Sequence, residues 1–99
     1  MDKVLSLLGL CKKAGKLAAG SFAAEQAVKD RKAKLVIVAS DASENTKKLF
    51  HDKGSYRSVP VVLYGTKESL GQILGTRERA VAAVLDSGFA EAIEKSIRM

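Results

Sequence analysis

Leu35-Val36-Ile37-Val38-Ala39 is an uninterrupted apolar run in the middle of the chain. Branched aliphatic residues favour extended backbone, and a run without polar alternation is typical of a strand that is buried on both faces. Lys32 and Lys34 precede the run, and Ser40 and Asp41 follow it. The run therefore predicts the central strand of a sheet that has helices on both sides.

Two further apolar runs, 59–63 and 80–85, predict two more buried strands, and Pro60 stands near the start of the first, where a strand tolerates proline. A very short strand is expected at 16–18. Apolar residues at helical spacing predict helices over 2–13, 20–31, 41–54, 65–75 and 86–97. Strands that alternate with helices predict an α/β fold, a three-layer α/β/α sandwich around a small mixed sheet.

Capping residues support these boundaries. Asp41 has Glu44 three positions later, which resembles a capping box at the start of the third helix. Gly65-Thr66 and Asp86-Ser87 are expected to begin the last two helices. Gly54 and Gly75 are expected to end the third and fourth helices, because glycine commonly follows a helix.

The composition of the chain predicts one small domain. Its 99 residues are 46% hydrophobic and 28% charged, as in an ordinary globular protein. One Cys excludes an internal disulfide, and no apolar stretch approaches the roughly 20 residues that a membrane span needs. With no secretory signal in view, we expect a monomeric cytoplasmic protein without a membrane partner.

Positive charge is unevenly distributed along the chain. Residues 1–57 contain 12 Lys/Arg and 6 Asp/Glu, whereas residues 58–99 contain 5 of each, so the first part carries the whole formal net charge of +6. A one-sided basic surface is what a polyanion-binding protein needs. A basic surface that serves only solubility remains an alternative.

Catalytic and nucleotide-binding motifs are not supported by the sequence. A phosphate-binding loop that ended at Gly15-Lys16 would need glycine at Leu10 and a hydroxyl at Leu17. Cys11 lies on the apolar stripe of the first helix, which favours a buried structural thiol, and the single histidine, His51, is expected to be solvated. We therefore expect no catalytic residue, no metal site, no cofactor and no enzymatic activity.

Residues 15–21, Gly15-Lys16-Leu17-Ala18-Ala19-Gly20-Ser21, favour anion binding instead. A helix that begins at Gly20-Ser21 leaves backbone N–H groups free for a phosphate. Lys12, Lys13 and Lys16 add positive potential nearby, and Arg77 and Arg79 lie in the loop before the last strand. We expect these basic residues to contact phosphates.

The order of these elements resembles the kink-turn RNA-binding ribosomal proteins of the L7Ae/L30e family, and most closely its small bacterial members. The resemblance extends from Leu5 to Phe89. It rests on Leu7-Leu8-Gly9-Leu10, Ala14-Gly15-Lys16-Leu17 with Gly20, the run 32–39, Asp41-Ala42-Ser43, Val59-Pro60-Val61, and Leu70-Gly71 with Gly75. It implies an L30e-like sandwich that binds structured RNA, with ribosomal RNA among the expected partners.

The resemblance also implies which residues face the RNA. The turn into the second helix and the start of that helix would meet phosphates and tandem sheared G·A pairs at Lys16, Gly20, Ser21, Phe22, Ala23 and Gln26. The loop at Ser40-Asp41 would lie beside them. The loop 76–81 would supply Arg77 and Arg79, with Ala80 and Val81 as apolar contacts to an extruded base.

Three of these residues depart from the family pattern. Archaeal members have Asn-Glu where this chain has Phe22-Ala23, and a lysine where it has Gln26. An aromatic side chain can stack on an RNA base, although a core position is the interpretation that we favour for Phe22. Gln26 is the candidate for hydrogen bonding to a base edge. The alternative function is a protein-interaction module on the same fold with lost or nonspecific RNA binding.

Overall fold

The computed structural model describes residues 2–98. Five helices and four strands follow one another along the chain. In order they are α1 (Lys3–Lys13), β1 (Leu17–Ala19), α2 (Ser21–Lys29), β2 (Leu35–Val38), α3 (Glu44–Arg57), β3 (Val61–Leu63), α4 (Lys67–Ile73), β4 (Val81–Val84) and α5 (Ser87–Arg98).

The strands form one mixed sheet in the order β1-β4-β2-β3. β4 runs antiparallel to both β1 and β2, whereas β2 and β3 are parallel. Helices α1, α4 and α5 pack together on one face, and α2 and α3 pack together on the other. The predicted α/β/α sandwich around a small mixed sheet is confirmed.

The core lies on both faces of the two central strands. Every residue of β2 and β4 is buried, because each strand has a neighbour on both sides and helices above and below. The largest buried side chains that the helices contribute are Leu8, Phe50, Leu70 and Ile93. The continuous apolar runs thus mark the central strands, as predicted.

The sheet has two ends that carry different loops. At one end β1 leads into α2, and the Gly20 N–H donates to the Val81 carbonyl at the start of β4 over 2.9 Å. We call this the α2 end. At the other end, the Leu85 N–H donates to the Lys16 carbonyl over 2.8 Å and the Lys34 N–H donates to the Val84 carbonyl over 2.7 Å. We call this the opposite end.

The start of α3 differs from the prediction. Ser43, rather than Asp41, caps the helix, because its hydroxyl accepts the Thr46 N–H over 3.1 Å. The Asp41 carboxylate accepts the Lys67 N–H instead, over 2.8 Å, at the start of α4. Local spacing suggested a cap for the nearer helix, but the sheet brings a second helix start closer to Asp41.

The predicted end of α3 at Gly54 is also wrong. The helix continues to Arg57 and ends at Ser58, which adopts a left-handed conformation with φ of 59°. Gly54 is needed inside the helix, since a Cβ there would lie 2.4 Å from Val61 Cγ2 and 2.8 Å from the Val59 carbonyl oxygen. This glycine lets α3 approach β3 closely.

β3 is shorter and more exposed than predicted. It spans Val61–Leu63 at the edge of the sheet, and Leu63 is 52% exposed. The other boundaries move by a few residues; α2, for example, ends at Lys29, before Arg31 turns left-handed with φ of 61°. Within residues 2–98, no helix combines the length and apolar character needed to cross a bilayer.

Replacing Gly54 with alanine should destabilise the protein, because the added methyl group meets the Val59 backbone. Overpacking of this kind lowers the free energy of unfolding by about 1–3 kcal/mol. Urea denaturation followed by circular dichroism measures the change. Gly9→Ala is the matched control, since a Cβ there lies 3.6 Å from Ile73 Cγ2, an ordinary contact. Equal stability of the two variants would contradict the tight α3–β3 contact.

Candidate nucleic-acid interface

The start of α2 presents backbone donors without a side-chain cap. Gly20 is the N-cap residue with φ of 98°, a conformation that favours glycine. The first amide bonded within the helix is that of Ala24, which donates to the Gly20 carbonyl over 2.9 Å. The N–H groups of Ser21, Phe22 and Ala23 precede that bond, so this helix start is arranged to receive an anion.

Arg79 lies directly beside this helix start. A Cβ at Gly20 would lie 3.6 Å from Arg79 Nε, and Arg79 NH1 donates to the Glu78 carbonyl over 3.2 Å. Within residues 2–98, Nε of Arg79 is the one buried side-chain nitrogen or oxygen atom that lacks a hydrogen-bond partner. Leaving such a donor unpaired costs about 1–3 kcal/mol. The structure therefore places an unsatisfied cationic donor next to Gly20, the N-cap residue of α2.

The loops around Arg79 are held by the backbone of Lys67. Its carbonyl accepts the Arg79 N–H over 3.1 Å, and its own N–H donates to Asp41. The predicted residue Asp41 therefore joins the loop after β2 to the start of α4. Its carboxylate has a structural partner, so its contribution to the interface is to position the loops.

Phe22 is exposed, which corrects the core interpretation. Its side chain is 81% exposed, whereas Ala24, Ala27 and Val28 form the buried face of α2. Gln26 is also exposed, and residues four positions apart lie on the same face of a helix. Phe22 and Gln26 therefore present an aromatic ring and an amide side by side, next to the helix start.

The two predicted apolar contacts at the start of β4, Ala80 and Val81, differ in burial. Val81 is completely buried, and its carbonyl holds the Gly20 N–H, so it supports the turn rather than offering its side chain to a ligand. Ala80 is only partly buried. Arg77 is exposed in the same loop. The α2 end thus gathers Gly20, Ser21, Phe22, Gln26, Asp41, Arg77, Arg79, Ala80 and Val81.

The three predicted lysines do not lie with this group. Lys12 and Lys13 are in the last turn of α1, and Lys16 stands just before β1, at the opposite end of the sheet. The Lys12 ammonium donates to the Leu74 carbonyl at the end of α4. Lys13 and Lys16 are exposed. Proximity in sequence suggested one site, but the length of β1 separates Lys16 from Gly20.

Cys11 is a buried structural residue, as predicted. Its thiol donates to the Lys16 carbonyl over 3.0 Å, and burial raises the pKa of Cys11 to about 11, which keeps it protonated near neutral pH. His51 is exposed, as predicted. Among residues 2–98, no group of three or more His, Cys, Asp and Glu side chains is placed to hold a metal ion.

A hydrogen bond ties α1 to the loop after β3. The Tyr64 hydroxyl donates to Asp2, and this bond lowers the pKa of Asp2 and raises the pKa of Tyr64. Asp2 also caps α1, accepting the Leu5 N–H over 3.1 Å. The contact fixes the start of α1 at the α2 end of the sheet.

Sequence reasoning missed one exposed aromatic residue. Tyr56 is 81% exposed on α3, and the Arg57 guanidinium lies 5.2 Å from the centre of its ring. The signal available in the sequence was an aromatic residue in a polar helix next to a cation. The basic run from Lys29 to Lys34 was visible as well, but nothing in the sequence placed it beside Tyr56.

Comparisons with known proteins support the resemblance. Residues 2–94 match the ribosomal protein L7Ae/L30e/S12e/Gadd45 family. The proteins named RNA-binding protein YlxQ are relatives: that of Enterococcus faecium is 40% identical over 96 residues, 97% of this chain and 92% of that protein. The protein of that name from Bacillus subtilis strain 168 is 39% identical over 84 residues, 85% and 84% of the two chains. The predicted similarity to small bacterial members, the YlxQ type, is confirmed.

Solved structures share the fold. A protein of unknown function from Bacillus halodurans C superposes with a TM-score of 0.95 and 37% identity over the whole of both chains. The Giardia lamblia 15.5kD RNA binding protein superposes with a TM-score of 0.76 and 23% identity, covering 95% of this chain and 81% of that one. The second likeness concerns the fold alone.

Phe22→Ala should leave stability almost unchanged, because the ring is exposed. Surface substitutions usually change the free energy of unfolding by no more than about 0.5 kcal/mol. Phe50→Ala is the matched comparison: that ring is 1% exposed, and such losses cost about 3–5 kcal/mol. Denaturant titration of both variants measures the difference. A large loss for Phe22→Ala would restore the core interpretation.

Proposed function

This chain belongs to the ribosomal protein L7Ae/L30e/S12e/Gadd45 family, and from that membership we propose that it is a non-enzymatic protein that binds structured RNA. Relatives at about 40% identity are named RNA-binding proteins. The family resemblance favours RNA of the kink-turn type, with ribosomal RNA among the candidates. The α2 end of the sheet is the proposed contact surface.

The observation that carries this proposal is the unpartnered Nε of Arg79 beside the free amides of α2. An RNA phosphate is the anion that a protein of this family would meet there. The partly buried Arg79 side chain would turn its Nε outward to meet one phosphate oxygen, and the helix dipole would favour the same negative charge. Contacts of this kind position an RNA backbone without reading its sequence.

Phe22 and Gln26 supply the proposed base contacts. The exposed ring has the area to stack on an unpaired or sheared base, and stacking is a common element of RNA recognition. The Gln26 amide has both donors and acceptors for a base edge. Ala80 offers a small apolar surface beside them. In this proposal shape and stacking take the place of contacts from the Asn-Glu pair that archaeal members have at positions 22 and 23.

A protein-interaction module is the second candidate, and one observation favours it. A groove between α1 and α4 has an apolar wall that includes Leu10, which is 55% exposed, and Ile73, which is 37% exposed. Exposed apolar side chains that face one groove are typical of interaction surfaces.

A titration separates these functions. A kink-turn RNA and a control with its G·A pairs replaced by Watson–Crick pairs are each titrated with the protein at several salt concentrations. Kink-turn recognition predicts tighter binding to the first RNA at every salt concentration. Equal affinities that fall steeply with salt would reduce the function to backbone binding. No binding to either RNA would favour the interaction module.

Arg79→Gln should weaken kink-turn binding on the order of ten-fold, since a hydrogen bond to a charged group contributes about 1.5–3 kcal/mol. The substitution also removes the unpaired Nε, so the free energy of unfolding should not fall. Lys95→Gln is the control, because Lys95 is exposed on α5, a helix that contributes none of the residues gathered at the α2 end. Unchanged affinity in Arg79→Gln would exclude Arg79 from the interface.

A further inference from the structure

Positive charge is concentrated at the end of the sheet that lies away from the proposed kink-turn site. The connecting segments and helix ends at the opposite end, 12–16, 29–34, 53–58 and 85–87, contain nine Lys/Arg and two Asp/Glu. The corresponding segments at the α2 end, 2–3, 19–22, 39–47, 64–68 and 77–80, contain five of each. The α2 end is therefore neutral, and the opposite end carries a formal +7.

Most of this charge lies around the last turns of α2 and α3. One concave surface between these helices is lined by Lys29, Asp52, Lys53, Tyr56 and Arg57 together with Val28. A second adjoins it and is lined by Arg31, Lys34 and Arg57 among others. Arg57 belongs to both, so the two surfaces are continuous. We call this continuous surface, together with the exposed Lys32 that lies between Arg31 and Lys34 in the chain, the basic surface.

Part of the basic surface has no internal counter-charge. Lys53 and Lys29 share Glu25, at 3.3 and 3.9 Å. In contrast, no carboxylate in residues 2–98 lies within ion-pair distance of Arg31, Lys32 or Lys34. Clustered cations that repel one another without compensation are characteristic of a surface that binds a polyanion.

Tyr56 adds a stacking platform to these cations. Its ring is 81% exposed, and Arg57 lies over the ring at 5.2 Å from its centre. A base that stacked on the ring would extend this cation–π pair. An exposed aromatic ring among cations is the combination that binds single-stranded nucleic acid, where bases stack and phosphates meet positive charge.

We propose that the basic surface is a second RNA-binding site, which takes a single-stranded segment next to the structured RNA. One unpaired base would stack on Tyr56, and the phosphates on either side would meet Lys32, Lys34 and Arg57. The proposal rests on the RNA binding proposed for the α2 end. The nine residues of α2 connect the two sites, a length of about 13 Å at the rise of an α-helix.

The charge requirement is tested with a short unstructured RNA of uridine and adenosine that has no kink-turn. Lys32→Glu/Lys34→Glu should weaken its binding on the order of ten-fold and reduce the salt slope by about 1.4, since each phosphate contact on a single strand contributes about 0.7. Lys3→Glu/Lys48→Glu makes the same change in net charge at two exposed lysines outside the basic surface. Equal losses in both double variants would overturn the proposal, because they would show a response to net charge alone.

The stacking requirement is tested at Tyr56. Tyr56→Ala should weaken binding of the same single-stranded RNA about five-fold or more, the effect of losing one aromatic stack. Tyr56→Phe keeps the ring and should bind like the unmodified protein. The exposed position makes both variants able to fold, which circular dichroism verifies. If Tyr56→Ala binds as tightly as Tyr56→Phe, the assignment of Tyr56 is wrong.

A last comparison distinguishes the two sites. A kink-turn RNA is prepared with and without a single-stranded extension, the extension being placed on either strand. We expect the extension to strengthen binding to the unmodified protein, and to strengthen binding to Tyr56→Ala about five-fold less, while both proteins bind the unextended RNA equally. Failure of kink-turn discrimination contradicts the α2 site. Failure of every extension to strengthen binding contradicts the basic surface.

Discussion

β4 lies between β1 and β2 with helices on both of its faces. Its complete burial is the constraint that determines where the chain segments at both ends of the sheet lie. All its residues are inaccessible, so every backbone polar group there must be paired within the protein. Pairing on both sides fixes the two ends of the sheet at once. At one end the Val81 carbonyl accepts the Gly20 N–H. At the other end the Val84 carbonyl accepts the Lys34 N–H, and the neighbouring Leu85 N–H donates to the Lys16 carbonyl. Two chemically different surfaces are thus attached to one rigid strand.

The two surfaces differ in how they would bind RNA. The α2 end is neutral overall and presents a few directional donors, the amides of α2 and the Arg79 Nε, in fixed positions. Such a surface favours one geometry of the backbone over another. The opposite end presents many cations and one exposed ring, which tolerate varied sequences. A protein built this way would combine selective binding of a folded RNA shape with broad affinity for an adjoining single strand.

The sequence predicts the fold well because its strongest patterns are local. The apolar runs become the central strands, and Ser or Thr next to each break marks helix starts such as Thr66. The exposure of Phe22 could have been predicted, since the apolar stripe through Ala24, Ala27 and Val28 leaves position 22 on the other side of the helix. The roles of Gly54 and Asp41 were not predictable in this way, because each depends on packing against another element: Gly54 meets Val61 of β3, and Asp41 accepts from Lys67 at the start of α4. The lysines before β1 were grouped with Gly20 because proximity along a chain says nothing about which end of a strand a residue reaches.

The β3 edge of the sheet bears on self-association at high protein concentration. An unpaired strand edge is a template on which a second molecule can add its own strand, and amyloid-like assembly begins in this way. Here β3 offers only three residues, and Pro60 before it has no N–H to donate. An intermolecular sheet would therefore form few hydrogen bonds at this edge, even though Leu63 is exposed there. The short strand β3 thus disfavours strand addition at this edge, although Leu63 is an exposed apolar residue there.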